Sequence, residues 1–324
     1  VTLHPAIATV RLPVRAALSH LAESDVVAVA CSGGADSLAL ASAAVFEGHK
    51  RGLRVVGVTV DHGLQPGSAE QADRVVLQLA SMGVDETVTA RVEVDAASGV
   101  GPEAAAREAR YAVLEEVATR LGARTVLLGH TLDDQAETVL LGLARGSGGR
   151  SLQGMRPAFG VFARPLLGVR RDDTVAACRV EGLEFWDDPH NQDRTYARVR
   201  VRERVLPMLE AELGPGVAET LARTAEQLRE DTVLLDLLTD TALAAARRPG
   251  GLDVDTLRSE QPALRRRAIH RAALEAGVPA SELTRGHVLE VDRLLVDWRG
   301  QRWVDLPGHL RALRRGGLVL FELS

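Results

Sequence analysis

The chain reads as an α/β protein on a doubly wound, mostly parallel sheet, followed by a second, mostly helical domain. Three observations predict this. Through residues 1–190, short apolar runs alternate with longer helical patterns, as expected for buried strands joined by crossover helices. Gly214-Pro215-Gly216 then interrupts the alternation, as a linker would. Beyond it the apolar spacing is helical almost to the end of the chain. A length of 324 residues, 46% of them apolar, is enough for two cored domains. The expected division is residues 1–214 and 217–324.

Val26 to Ala30 is a short β-branched and small apolar run, so it reads as a buried strand. A helix over Leu38–Val45 and a second buried strand over Leu53–Val60 follow. Helix is expected from Ser68 to Met82, strand from Glu86 to Val94, and helix from Pro102 to Leu121, with proline in its first turn. Thr125–Leu128 reads as strand and Asp133–Leu143 as helix. In the second domain, long helical spacing runs from Val217 to about Leu243, with further helices near Gln261–Gly277 and Thr284–Asp297. Short strands split by Pro307-Gly308 and Gly316-Gly317 form a small β-hairpin between Arg302 and Leu323.

Composition narrows the class. No apolar run reaches the roughly 20 residues that span a bilayer, and Val1–Arg15 lacks the profile of a secretory leader. Cys31 and Cys178 make no metal spacing or disulfide framework. A cytoplasmic enzyme is expected. Lys50 is the only lysine among 39 basic residues, a bias that fits a GC-rich genome. With a net charge of −5, any RNA partner has to be gripped by local arginine clusters.

The chemistry concentrates where strands end, which is where ligands bind in such sheets. Ser32-Gly33-Gly34-Ala35-Asp36-Ser37 joins the first strand to its helix. Glycines allow close backbone approach, and a helix start offers free N–H groups, so this turn is a phosphate cradle with a carboxylate inside it. Asp61 and His62 end the second strand. Arg107 and Arg110, three apart, share a helix face and could clamp phosphates, or could be solvated partners of Glu103 and Glu108. His130 follows the Thr125–Leu128 strand. Of the adjacent Asp133 and Asp134, either could hold Mg²⁺, while Asp133 could also simply cap its helix. Arg145–Met155 is a glycine-rich loop with two arginines. Trp186–Asp193 leads into Arg194, Arg198, Arg200, Arg202 and Arg204, the densest positive cluster in the chain. If that stretch is helical, Arg198 and Arg202 lie on one face. Arg265, Arg266, Arg267 and Arg271, with Arg311, Arg314 and Arg315, form a second basic group suited to a nucleic acid backbone.

The first turn resembles the Ser-Gly-Gly-x-Asp-Ser pyrophosphate loop of the ATP-pyrophosphatase (PP-loop) superfamily. The ordered set of motifs is more specific. Asp-His-Gly-Leu, Glu-Ala-Arg-Tyr, Gly-His-Thr-Leu-Asp-Asp-Gln-Ala-Glu-Thr, Arg-Gly-Ser-Gly, Arg164-Pro165-Leu166-Leu167 and Trp-Asp-Asp…Asn-Gln-Asp follow one another. Together they resemble the bacterial tRNA(Ile)-lysidine synthetases, in the short form that lacks a far C-terminal domain. His190, Val199, Ser151 and Gln65 depart from the usual residues of that family.

The resemblance implies a ligase. ATP would adenylate C2 of the wobble cytidine of a CAU-anticodon tRNA(Ile). Free L-lysine would then displace AMP through its ε-amine, giving lysidine. Ser32, Gly33, Gly34, Ala35, Asp36 and Ser37 would hold pyrophosphate, with Asp61, His62 and Arg107 near the nucleotide. Asp36 and Asp134 would hold Mg²⁺. Arg110 would stabilise the reacting phosphorus, and His130 would assist adenylation or position the base. Glu137 would meet the substrate lysine. Arg198, Arg202, Arg265, Arg266 and Arg267 would contact RNA. A homodimer is left open. Rival readings are a tRNA thiolase, an amide-forming ATP-pyrophosphatase and a nucleotide-binding module without catalysis.

Overall fold

The computed structural model describes residues 3–61, 67–91, 102–146, 148–187 and 193–324, with the backbone alone for 102–106. The chain divides into two compact units, Val1–Gln227 and Leu228–Ser324. The division falls inside a long helix that begins at Val217, just past the Gly-Pro-Gly break.

The first unit opens with α1 (Pro5–Ala17), whose Pro5 sits where a missing N–H costs nothing. There follow β1 (Val26–Ala30), α2 (Ala35–His49), β2 (Arg54–Asp61), α3 (Ser68–Ser81), β3 (Glu86–Arg91), α4 (Pro102–Leu121), β4 (Ala123–Leu127) and α5 (Leu132–Arg145). Two short strands, β5 (Ala158–Phe159) and β6 (Phe162–Ala163), precede α6 (Arg171–Glu181), α7 (Ala197–Arg200) and α8 (Leu206–Leu213). The helix α9 (Val217–Ala246) starts here. The strands form one sheet in the order β3-β2-β1-β4-β6-β5. Every pairing is parallel except the β5–β6 hairpin.

Helices cover both faces. On one, Val10 and Val14 of α1 pack with Leu38 and Leu40 of α2 over Val27 and Val29. On the other, Leu114, Val117 and Ala118 of α4 pack on Ala28, Val56, Val58 and Val126. Because both faces are buried, the strands read as continuous apolar runs rather than alternating ones. β1 lies between β2 and β4, and the chain winds outward to β3 before returning to β4. The carboxyl ends of β1 and β4 therefore flank a topological switch point.

Element boundaries shift modestly from expectation. α2 starts at Ala35, inside the glycine-rich turn, so Asp36 and Ser37 belong to its first turn. The described part of β3 ends at Arg91; the expected continuation to Val94 lies outside the described residues.

The second unit adds β7 (Arg247–Arg248), β8 (Gly251–Asp253), α10 (Val254–Ser259), α11 (Pro262–Glu275), α12 (Arg285–Val296), β9 (Val304–Leu306), β10 (Leu310–Arg315) and β11 (Leu318–Leu323). The expected hairpin, β10–β11, is the centre of a five-stranded antiparallel sheet, β7-β8-β11-β10-β9. The additional strands are two or three residues long, too short to leave a periodic trace. Leu257, Ile269, Leu294 and Leu295 pack this unit's helices onto Ala312 and Val319. Among the described residues, no helix is long and apolar enough to cross a membrane.

Candidate active site

The turn after β1 is held by its own hydroxyls. Ser37 Oγ accepts from the Ser32 N–H at 3.2 Å and donates to the Gly34 carbonyl at 2.9 Å. Gly33 takes φ +84°, and a Cβ there would come within 2.7 Å of Val75 Cγ2. Only glycine meets both demands. The Gly33 carbonyl accepts from the Trp186 N–H at 2.9 Å, which fastens the loop to the segment after α6.

Asp36, in the first turn of α2, accepts the Thr174 hydroxyl at Oδ1 and Arg171 Nε at 3.2 Å at Oδ2. Burial raises its pKa above the ordinary carboxylate value, against Arg171 and Thr174. Across the switch point, Thr131 begins α5. Its N–H and hydroxyl both donate to Asp134 Oδ2, at 2.9 and 3.1 Å, a capping box closed by an acidic third residue. The cap thus fixes one oxygen of Asp134 and leaves the other facing inward. That oxygen, Oδ1, meets Arg171 at 2.8 Å and Arg202 at 3.4 Å. Burial works against the Asp134 carboxylate, but Arg171, the Thr131 N–H, His130 and Arg202 hold its pKa below the usual value.

One turn further along α5, Glu137 is fully buried. It accepts from Arg202 at 2.6 and 3.1 Å and lies 3.6 Å from both Arg171 and Arg198. Burial raises its pKa, with Arg202 pulling the other way. The Arg198–Arg202 stretch is helical, α7 running into the π-helical segment Val201–Val205. This puts both arginines on the face toward Glu137. Asp133, beside this cluster, accepts the Arg171 N–H at 2.7 Å at the start of α6.

These groups border a cavity of about 570 Å³, lined among others by Ser32, Gly34, Ala35, Asp36 and Ser37, and by Arg110, His130, Asp134, Arg171 and Arg202. Ala30, Val58, Val60, Leu114 and Leu128 give it an apolar wall. Nδ1 of His130 is buried with no hydrogen-bond partner among the described residues. Burial pushes the His130 pKa down to about 3, Asp134 opposing and Arg164, Arg107 and Arg110 adding to the shift, so the ring is neutral near pH 7. Arg110 faces the cavity, its pKa lowered by burial and by Arg107 and Arg198. A charged group held in this way is ready for an incoming anion.

The structure brings the Ser32–Ser37 turn, Arg110, His130, Asp134, Glu137 and Arg202 together. Asp61 ends β2 and is buried. His62 and Gln65 lie outside the described residues, as do Asp188–Gln192 with His190, and Ser147. The side chain of Glu103 is likewise undescribed. Arg107 donates to the Tyr111 hydroxyl at 3.3 Å instead of lining the cavity. Arg198 and Arg202, expected against RNA, are paired with Glu137 at this site. Arg265, also expected against RNA, is inside the second unit: it is 6% exposed and bonded to Asp292 at 2.5 Å. A guanidinium enclosed this way cannot also reach a phosphate backbone. Arg266 pairs with the same Asp292 and Arg267 with Asp236, both with their side chains partly exposed.

Sequence reasoning missed Arg171 and Thr174, and gave Arg164 no role. Arg164 is buried, donating to the Tyr111 hydroxyl at 3.0 Å and to the Arg156 carbonyl at 2.6 Å, with Phe159 beneath it. In a chain whose basic residues are nearly all arginine, no single arginine stands out by composition.

A parallel sheet with a Ser-Gly-Gly-Ala-Asp-Ser turn at its switch point, facing carboxylates and arginines across one cavity, defines a PP-loop protein. A PP-loop domain model matches residues 10–209, and a TilS substrate-binding domain model matches residues 252–318. The tRNA(Ile)-lysidine synthase of Streptomyces coelicolor is 49% identical over 349 residues, covering 98% of this chain and 99% of that protein. That of Thermobifida fusca is 52% identical over 317 residues, covering 98% and 97%. Among solved structures, the U34-tRNA thiolase NcsA from Methanococcus maripaludis, with its 4Fe-4S cluster, superposes with a TM-score of 0.59 at 20% identity, covering 69% of this chain and 80% of that one. This last likeness is one of fold. The chain belongs to the tRNA(Ile)-lysidine synthase family.

Proposed function

We propose that this chain uses ATP to join free lysine to C2 of the wobble cytidine in a CAU-anticodon tRNA(Ile), working in the cytoplasm where both substrates are found. The observation that carries the reading is the convergence of the Ser32–Ser37 turn, Arg110, His130 and Asp134 on one cavity, in a chain about half identical to lysidine synthases over nearly its whole length.

The chemistry divides into two displacements. The cytidine O2 attacks the α-phosphorus of ATP, and pyrophosphate leaves into the N–H groups and hydroxyls of the turn. Arg110 balances the charge that grows on the phosphorus oxygens. The neutral His130 ring, with Nδ1 unpartnered, positions the base by hydrogen bonding. The ε-amine of lysine then attacks C2, AMP leaves, and the amine proton passes to a base. Glu137, its pKa raised by burial, suits that proton better than an ordinary carboxylate. Next to it, a cavity of about 140 Å³ is lined by Asp133, Glu137, Glu210, Arg170 and Arg202 with Leu206, Pro207 and Ala218. Both charge signs and an apolar stretch suit a zwitterion with a long cationic tail.

Asp36 and Asp134 each direct one oxygen to the same guanidinium, that of Arg171. Two carboxylates that converge on one cation fit Mg²⁺, which binds through one or two carboxylates together with substrate phosphates. Bound there, Mg²⁺ would supply charge neutralisation on the phosphates.

Incubation with ATP, Mg²⁺, radiolabelled lysine and unmodified CAU-anticodon tRNA tests the reading. Label transfer to RNA is expected, and Asp36→Ala is expected to lose tRNA-dependent pyrophosphate release while remaining folded. Transfer of sulfur, or turnover indifferent to RNA, would overturn it.

A further inference from the structure

Arg171 opens α6, and each of its three guanidinium nitrogens faces a different carboxylate: Nε meets Asp36 at 3.2 Å, one Nη meets Asp134 at 2.8 Å and the other lies 3.6 Å from Glu137. Asp36 and Asp134 come from the first turns of α2 and α5, which start from neighbouring strands, and Glu137 from the next turn of α5. Arg171 is the residue that ties them to one point. Glu137 has Arg202 and Arg198 as well. Asp36 has Arg171 as its only ion-pair partner among the described residues, with a neutral hydroxyl, Thr174, on its other oxygen.

Charge is balanced here. Three carboxylates, Asp36, Asp134 and Glu137, face three guanidiniums, Arg171, Arg198 and Arg202. A divalent cation arriving alone would meet Asp36 and Asp134 already neutralised and would be repelled by the guanidinium between them. The same cation arriving on a triphosphate brings more negative than positive charge. It can take the two carboxylates while the displaced guanidinium turns to the phosphates, and Arg110 on the same cavity wall offsets part of the negative charge that arrives. Arg171 can make that turn: its side chain is one-quarter exposed and already lines the cavity beside the phosphate turn.

Resting on the reading of the site as a Mg²⁺–ATP site, we infer that Arg171 is a positioning residue that occupies the cation position between Asp36 and Asp134 in the nucleotide-free protein and exchanges that position for phosphate contacts when metal and nucleotide enter together. Metal and nucleotide then bind with positive coupling, each strengthening the other through the same residue.

The test is a binding measurement on the full chain, with Mn²⁺ as the metal probe and α,β-methylene-ATP as a nucleotide that is not cleaved. Wild type is expected to bind Mn²⁺ weakly alone and at least tenfold more tightly with nucleotide. Arg171→Gln is expected to bind Mn²⁺ alone at least tenfold more tightly than wild type, and the metal–nucleotide pair at least tenfold more weakly. The opposite signs separate exchange from simple support of the fold, which would weaken both. Asp36→Asn in the Arg171→Gln background is expected to remove the gain for Mn²⁺ alone, which locates it at this cluster. If Arg171→Gln does not fold, Arg171→Lys carries the test, since an ammonium cannot face three carboxylates at once; a severalfold gain for Mn²⁺ alone is expected. Affinity for Mn²⁺ alone that is unchanged or weaker in the folded variant overturns the inference. Wild type that binds no nucleotide with Mn²⁺ overturns instead the reading on which it rests.

Discussion

Glu137 is fully buried, and Arg202, 65 residues later in the chain, meets both of its carboxylate oxygens at 2.6 and 3.1 Å. Removing one partner of such a pair leaves the other charge without compensation. Arg202→Gln is expected to destabilise the first unit by about 2 to 3 kcal/mol, because the Arg171 and Arg198 contacts at 3.6 Å are longer. Glu137→Gln is expected to cost less, since a neutral amide can still accept a hydrogen bond. The double variant is expected to lose less than the two single losses added together. Thermal unfolding of all three variants checks this; strict additivity would show that the pair does not couple.

Gly129 lies two residues past β4 with its Cα against the Ser32–Ser37 turn. A Cβ on it would stand 3.1 Å from both the backbone nitrogen and the Cα of Ser37. Backbone cannot step aside as a flexible side chain can. Gly129→Ala is expected to keep the fold, displace the first turn of α2 and raise the KM for ATP about tenfold, in line with ~1.4 kcal/mol of lost binding. Gly33→Ala is expected to be more damaging, because its φ of +84° adds backbone strain to a 2.7 Å clash with Val75. Nucleotide titration and thermal unfolding separate the two effects.

How much of this was legible in the sequence depends on the range of the interaction. The turn Ser32–Ser37 is local: its glycines, hydroxyls and flanking apolar run lie within a dozen residues, and the pattern named both the cradle and the strand before it. The capping role of Asp134 is local too, yet the sequence offered Asp133 as the alternative cap and gave Asp134 none. Both are acids near a helix start, and only the structure shows which one closes back on Thr131. Arg171 was invisible because its meaning comes from Asp36, 135 positions earlier, and because arginine is the ordinary cation of this chain. In the second unit, Arg265 read as a surface charge beside Arg266 and Arg267. Asp292, which buries it, sits on α12.

The His130 ring gives a pH prediction. Burial holds its folded pKa near 3, below the ordinary value of 6.5. The folded state therefore binds this proton less readily than the unfolded chain. The stability it contributes is complete above pH 6.5 and is lost as pH falls from 6.5 toward 3. Asp134, also held below its ordinary value, adds to the loss at the acid end. His130→Gln removes the titrating ring. Its stability is expected to fall less steeply than that of wild type between pH 6.5 and 4, as measured by urea unfolding at each pH. Parallel slopes would show that the ring is protonated in the folded state.

Of the three adjacent arginines on α11, Arg265 is structural, and Arg266 and Arg267 are partly exposed. Arg265 and Asp292 are almost wholly enclosed, and Asp292 also holds Arg266 at 2.9 Å. Arg265→Ala leaves that carboxylate short of a partner and is expected to cost about 3 to 5 kcal/mol in the stability of this unit. Arg266 and Arg267 have partly exposed side chains; Arg267 pairs with the partly exposed Asp236, whereas Arg266 is a second partner of the buried Asp292. Arg266→Gln combined with Arg267→Gln leaves Arg265 on Asp292 and is therefore expected to cost less in thermal unfolding than Arg265→Ala, with the double variant still folded. If this face lies along the RNA backbone, the same variant is expected to bind tRNA more weakly, and the slope of log affinity against log salt is expected to fall by about one to two. Affinity and slope equal to wild type in the folded double variant would move the RNA surface off α11, whereas weaker binding with an unchanged slope would mean that the two arginines act on shape rather than by neutralising phosphates.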